Sequence, residues 1–311
     1  MNTLDIKDYL RSFQKHPQVS FCPNPGLAGD ELIACAAYQL FRRFGISHVV
    51  VDGRTCDPDD KIIFFGGGGN FVMDNSYAVE VIARVHHRAR QLIVLPHTII
   101  KNEDLLGKLE SNVTVICREP ASWEHVKKNA PRANVMLCDD MVFNLNVSTV
   151  LSPSGRSWQE SLFKELQYLF TRKAAEVSRR PTRKELAYFL AKETALFKIF
   201  SRNHNGILNC FRTDDEKTDM ELPADNIDLP RLLGFGRVGE PLDETVTLWL
   251  SNQFLRLIDR YQKVRTNRLH VGIAAALLNK EVDLFRNSYF KNEAIYRYTI
   301  EKRFPRVRWM G

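Results

Sequence analysis

The sequence predicts an α/β fold of parallel sheets arranged in two units, and three observations carry that prediction. Short, nearly continuous apolar runs such as KIIFF, LIVLP and VTVIC alternate with stretches of helical spacing. Strands that are apolar on both faces belong to parallel sheets covered by helices on each side. The texture changes near Ser152, where SPSGRSWQE reads as a loop, and the α/β pattern resumes only at ILNCFR. Finally, 311 residues are enough for two domains of ordinary size.

Residues 1–150 read, in order, as a strand QVSFCPNP, a helix ELIACAAYQLFRRFG, strands HVVVDG and KIIFFGG, and a helix through SYAVEVIARVHHRARQ. Strands LIVLPHT and VTVICRE, a helix through SWEHVKKN and a strand NVMLCDD complete a Rossmann-like domain. Residues 151–311 begin with a long helical region, approximately 157 to 200, broken near Pro181. A second α/β unit follows, with strand ILNCFR, a helix through DETVTLWLSNQFLRLIDRY, strand KVRT, helix VGIAAALL and strand KEVDLF. Two such units joined by a helical segment leave a cleft between them.

Composition narrows the function. A hydrophobic content of 44% with 26% charged residues is that of a soluble globular protein. The start, MNTLDIKDYLRSFQKHPQ, lacks the pattern of a signal peptide, and no apolar run approaches the roughly 18 residues of a membrane span. A cytoplasmic location is expected. Six scattered cysteines show neither a C-x-x-C pair nor a Cys/His cluster of zinc spacing, so they are expected as reduced, mostly buried thiols, with no metal. The net charge of +7 and pI near 9.1 permit an anionic partner: a phosphorylated small molecule, a membrane surface or a nucleic acid. Much of the excess sits in FTRKAAEVSRRPTRKELAYFLAK, read as a solvated helix face, and in the tail EKRFPRVRWMG. With Phe304, Trp309 and four basic residues, the tail is a candidate for peripheral contact with the inner membrane surface. No nucleic-acid partner is expected, because the basic residues form no recognisable binding motif.

In open parallel sheets ligands bind at the carboxyl ends of the strands, where helix N-termini converge. Candidate residues recur there: Asp30 in NPGLAGDE, the run Gly66, Gly67, Gly68, Gly69 with Asn70, His97 and Thr98 in PHT, Arg118 and Glu119 in CREP, Asp139 and Asp140 in CDD, Arg212, and then Arg268 and His270. Each has a plainer reading beside the functional one. Asp30 is placed to cap a helix, Arg118 and Glu119 to pair with each other, and Asp139 and Asp140 to cap or to sit in a loop. Four consecutive glycines give up packing and chain entropy, so a ligand approaching bare backbone is expected, with a tight turn as the alternative. Familiar nucleotide motifs fail. GGGGNF is not followed by G-K-[ST], and G-x-G-x-x-G is not completed because position 71 is Phe.

The stretch VRTNRLHVGIAAALLNKEVDLF, taken with GDE, FFGGGGNF, LPHT, ICREPAS and CDDMVF, resembles the polysaccharide pyruvyl transferase family over nearly the whole chain. NSYFKNEAIYRYTI is similar to the bacterial exopolysaccharide branch. The resemblance implies two Rossmann-like domains facing a cleft, in a GT-B-like fold. It also implies transfer of the enolpyruvyl group of phosphoenolpyruvate onto two hydroxyls of a sugar, in an exopolysaccharide or its lipid-linked precursor, leaving a cyclic ketal and free phosphate. Phosphoenolpyruvate is then a donor substrate and no cofactor is needed. On this resemblance Arg268 and His270 match the family's R-L-H and Arg118 its R-E/D position, so that Arg268, Arg118 and Arg212 clamp the donor and His270 is the acid. Asp30 or Glu119 activates the acceptor hydroxyl, and spacing does not choose between them. The glycines 66 to 69, Asn70, His97 and Thr98 complete the binding surface, although many relatives carry Gln where this chain has His97. The alternative activity in such a cleft is glycosyl transfer from a nucleotide sugar.

Overall fold

The computed structural model describes residues 4–16, 18–152, 206–234 and 244–311. The helical region expected over 157–200 and the basic stretch 170–192 lie outside the described residues.

A short helix, Ile6–Arg11 (α1), precedes the first sheet. The sheet is built from β1 (Val19–Cys22), β2 (His48–Val50), β3 (Ile62–Phe65), β4 (Gly68–Phe71), β5 (Gln91–Ile99), β6 (Val113–Cys117) and β7 (Asn134–Leu137). Its connections carry α2 (Ala28–Phe44), α3 (Tyr77–Val85), α4 (Glu103–Leu106) and α5 (Pro120–Asn129), and a 3-10 turn (Met141–Asn144) and α6 (Val147–Leu151) follow β7. The strand pairs are parallel in the order β2-β1-β3-β5-β6-β7, with β4 beside the second half of β5. The order reverses between β1 and β3, the place where ligands bind in such sheets.

KIIFFGG holds the single strand read from it, β3, and a second strand not read from the sequence, β4, follows directly at GGNF. β3 pairs with β5 up to Val94 and β4 pairs with it from His97. Pro96 lies between, and a proline inside a strand has no N–H to give the ladder. The register of β5 against β6 shifts at the same place.

The second sheet is also parallel, in the order β11-β10-β9-β8, from β8 (Ile207–Cys210), β9 (Lys263–Thr266), β10 (Glu281–Leu284) and β11 (Val307–Trp309). Around it lie α7 (Leu229–Leu233), α8 (Glu244–Asp259), α9 (Leu269–Leu277), α10 (Lys291–Ile295), a π-turn (Tyr296–Ile300) and α11 (Glu301–Arg303). One of its strands alternates, β9, while β8 and β10 are buried at three consecutive positions. In KVRT, Val264 and Thr266 are buried while Lys263 and Arg265 are partly exposed.

One apolar cluster joins the two sheets. It runs from Phe21 and Phe41 through α2 and α8 to Val264 and Val282. Small residues of α2, Ala34 and Ala37 among them, are buried in it, and Glu31 of α2 accepts a hydrogen bond from Thr247 of α8 at 2.8 Å. A second cluster fills the other face of the first sheet, beneath α3 and α5. The sheets are thus locked together on one side, and the carboxyl ends of their strands meet around a cavity.

The tail is integral to the fold. β11 extends the second sheet, Trp309 stacks on Tyr296 with centroids 5.6 Å apart, and Phe304 stacks on Phe143 at 5.7 Å. The two rings that made the tail a membrane candidate are therefore engaged within the protein. Among the described residues, no helix is long and apolar enough to cross a membrane.

Candidate active site

The cavity is lined by Gly29, Asp30, Gly69, Asn70 and Arg118 from the first sheet's side, and by Arg212, Glu216, Arg268, His270 and Lys291 from the second. Arg118 follows β6 and is 1% exposed. Its Nε donates to Thr98 Oγ1 at 2.9 Å and its Nη1 to Asp140 Oδ2 at 2.7 Å. A guanidinium so deeply placed needs a charged partner. Asp140 supplies it, and also accepts from the backbone N–H of Val142 at 2.9 Å, at the start of the 3-10 turn. Burial opposes ionisation of Asp140, but the charges of His270 and Arg118 overcome it and hold its carboxyl well below the usual range.

His270 reaches the same group from the other sheet. Its Nε2 lies 3.4 Å from Asp140 Oδ2 and 3.5 Å from Arg118 Nη1. It sits in the first turn of α9, directly against α2. A Cβ on Gly29 would stand 2.9 Å from His270 Nδ1, so only glycine lets that helix approach the ring.

Arg268 precedes α9 and is 5% exposed. Its Nε and Nη2 grip Asp228 at 2.9 and 2.6 Å, and Nη2 also lies 2.8 Å from Asp214. Arg212, after β8, holds Asp214 through Nε and Nη2, and its Nη1 is 2.6 Å from Glu216. Lys291, at the start of α10, lies 2.8 Å from the same Glu216 oxygen and 4.7 Å above the ring of Tyr289. Burial lowers the Lys291 ammonium to about 8, with Glu216 pulling the other way. Burial would raise Glu216, yet Lys291 and Arg212 prevail and keep its carboxyl below the ordinary value.

Of the residues predicted from the sequence, Asp30, Gly69, Asn70, Arg118, Arg212, Arg268 and His270 meet at this cavity. The others do not line it. Glu119, predicted as one of two acceptor-activating carboxylates, is fully buried and caps α5: it accepts from the N–H of Ser122 at 2.9 Å and from the Ser122 hydroxyl. Asp30 also caps a helix, accepting from Leu27 N–H at 2.9 Å, but it stays on the cavity wall. His97 and Thr98 are buried beneath the surface. Thr98 holds Arg118, and His97 lies 3.1 Å from Asn70 Oδ1, with burial and the Arg118 charge pushing its imidazole down to about 3.

The glycine run needs correction too. A Cβ at Gly66 would meet the backbone of Asn24 at 2.6 Å, one at Gly67 the carbonyl of Pro96 at 2.7 Å, and Gly68 has φ of 155° with Asn24 Nδ2 only 2.5 Å from such an atom. Close packing of chain on chain, not a ligand, accounts for these three. Gly69 alone of the four lines the cavity, where an added Cβ would lie 2.9 Å from Arg118 Nη2. Lys291, Glu216, Asp214, Asp228 and the dual role of Asp140 were not assigned from the sequence. Lys291 lies in NSYFKNEAIYRYTI, a segment that carried the resemblance without a role for it, and Glu216 lies four residues after Arg212, outside the motifs that carried it.

Residues 28–289 match the family described as "Polysaccharide pyruvyl transferase". A Bacillus subtilis (strain 168) protein named "Putative pyruvyl transferase EpsO" is 25% identical over 323 aligned positions, which cover 97% of this chain and 91% of that one. A crystal structure of a protein of uncharacterised function from Klebsiella pneumoniae subsp. pneumoniae NTUH-K2044 is 26% identical, with a TM-score of 0.71 and coverage of 98% of this chain and 97% of that one.

Proposed function

The chain belongs to the polysaccharide pyruvyl transferase family, and from that premise we propose that it moves the enolpyruvyl group of phosphoenolpyruvate onto two hydroxyls of one sugar, closing a cyclic ketal. The observation that carries this reading is the convergence of Arg118, Arg212, Arg268 and Lys291 with a single imidazole, His270, where the strand ends of two sheets meet. Phosphoenolpyruvate bears a phosphate and a carboxylate on three carbons. Planar guanidinium forks bind such groups in pairs of hydrogen bonds, and an ammonium adds a point charge.

In the first step His270 protonates the methylene carbon as a sugar hydroxyl adds to C2, and the hydroxyl proton passes to Asp30. The adduct keeps its phosphate. Phosphate then leaves with the C–O bonding pair, the second hydroxyl closes on C2 and passes its proton to the His270 imidazole, which restores the acid, and the ketal results. Asp140, which touches both His270 and Arg118, holds the acid against the donor clamp. No metal enters the proposal, in which guanidinium and ammonium groups are what meets the charge that develops. The proposed frame is GT-B-like, with an N-terminal domain over 1–150 and linker plus second domain over 151–311. The acceptor is a saccharide of an exopolysaccharide or its lipid-linked precursor.

The test is phosphate release from phosphoenolpyruvate over a panel of galactosides, glucosides and mannosides. Loss of the positioned acid in His270→Ala should lower turnover on the best acceptor by about a hundredfold or more. Near-normal turnover by that variant refutes the role of His270, and no release with any acceptor refutes the donor.

A further inference from the structure

We propose that Glu216 is an internal occupant of the anion subsite, a carboxylate that stands where an oxyanion of the donor binds and that the donor must displace. The proposal rests on the donor reading given above, and it adds a residue that sets which anions enter.

The argument is one of charge and depth. Every cation of the cavity already has a carboxylate: Arg118 has Asp140, Arg268 has Asp228 and Asp214, Arg212 has Asp214 and Glu216, and Lys291 has Glu216. The four cationic and four anionic side chains of this network cancel, and at the wall the negative charge of Asp30 is matched by the protonated His270 that the acid role requires. A donor with a phosphate and a carboxylate therefore meets a site with no positive surplus. Like charges brought together in a partly desolvated pocket repel strongly. One carboxylate has to give way.

The surroundings single out which. Asp140 is completely buried and also accepts from Val142 N–H. Asp228 is 7% exposed and also accepts from the N–H and hydroxyl of Thr213. Asp214, 27% exposed, is as open as Glu216 but more firmly held: it takes both arms of the Arg212 fork, lies 2.8 Å from Arg268 Nη2 and accepts the N–H of Glu216. Glu216 is 28% exposed, lies in the irregular segment between β8 and α7, and is gripped by Lys291 and Arg212, both of which line the cavity. Swinging outward would rehydrate its carboxylate. The same motion would leave an ammonium and a guanidinium arm free at one spot, the pair a phosphate or carboxylate oxygen needs. In reverse, the returning carboxylate competes with product phosphate and speeds its departure.

The experiment measures dissociation constants for inorganic phosphate and for phosphoenolpyruvate on wild type, Glu216→Gln, Glu216→Ala and, as a control, Asp215→Asn, an exposed carboxylate next in the chain. Both Glu216 variants should bind phosphate about tenfold tighter or better, a difference of about 1.4 kcal/mol. The control, a screened charge, should stay within about twofold. Unchanged or weaker phosphate binding in both Glu216 variants, or an equal gain in the control, overturns the proposal. The two readings fail separately. Tighter phosphate binding without any binding of phosphoenolpyruvate keeps Glu216 as the internal occupant and removes the donor, whereas wild-type binding of phosphoenolpyruvate without tightening in the variants does the opposite.

Discussion

Two ends of one cavity carry the same kind of ion pair in opposite settings. On the first sheet, Arg118 and Asp140 are 1% and 0% exposed and are tied to Thr98, to a backbone amide and to His270. On the second, Arg212 and Lys291 share Glu216, whose side chain is 28% exposed on an irregular segment. A buried pair cannot lose a member without stranding a charge in a poor solvent, whereas a half-exposed carboxylate can return to water at small cost. Depth therefore divides the labour: the first sheet contributes a fixed wall and the second contributes charges able to exchange partners.

The largest expected effect tests that division directly. Asp140→Ala leaves the Arg118 guanidinium buried and unpaired, which should cost about 3–5 kcal/mol of stability. Glu216→Ala, at the other end, leaves Lys291, 7% exposed, without its carboxylate, but Arg212 keeps Asp214 and the amine, already lowered to about 8, can give up its proton, so the cost should be smaller, about 1–2 kcal/mol. Urea unfolding of the two variants side by side measures the difference. If both unfold at the wild-type midpoint, burial does not separate the two ends and the comparison breaks.

A smaller effect sharpens the distinction between fold and site within the glycine run. A Cβ at Gly69 would press on Arg118 Nη2, and Arg118 is held too firmly by Thr98 and Asp140 to move aside freely. A Cβ at Gly67 would press on the Pro96 carbonyl, away from the cavity. Each alanine should cost about 1–3 kcal/mol by overpacking. Only Gly69→Ala should also weaken phosphate binding, because its methyl would occupy cavity space beside Arg118 and Lys291. Equal loss of phosphate affinity in both variants would mean that the whole run shapes the ligand site.

The same contrast explains what the sequence revealed and what it hid. Apolar runs such as IIFF and VTVIC announced the parallel sheet because a strand buried on both faces leaves its whole composition as a signal. β4 escaped notice because GGNF has almost no side-chain pattern, and β11 because RVRW lies in a basic tail whose packing partners, Tyr296 and Phe143, are not its neighbours in sequence. Strand ends pointed to Asp30, Arg118, Arg268 and His270, since position along a strand is readable. Depth below the rim is not. Glu119 and Thr98 share those ends with Arg118, yet they point into the body of the fold and cap or brace what lies above. Counter-ions were the least legible: Lys291 and Glu216 are 75 residues apart and Arg268 and Asp228 are 40 apart, so no local spacing marks either pair.

The finest test of the exchangeable end is its pH dependence. Burial brings the Lys291 ammonium down to about 8, and Glu216, Arg212, Arg118 and the Tyr289 ring are the groups that face it. Sulfate is the suitable probe, because its own charge does not change near that pH. An anion in the place of Glu216 favours the charged amine, so the complex keeps a proton that free protein releases above about pH 8. Binding there takes up a proton, and affinity must fall as pH rises, by about tenfold per unit once the free amine is mostly neutral. Below about pH 8 the curve should be flat with respect to this group. Lys291→Arg, with a guanidinium that stays protonated throughout, should bind sulfate with no such decline. A wild-type affinity that holds level to about pH 9.5 would mean that Lys291 remains charged without an anion, and that Glu216 dominates its environment more firmly than an exchangeable partner can.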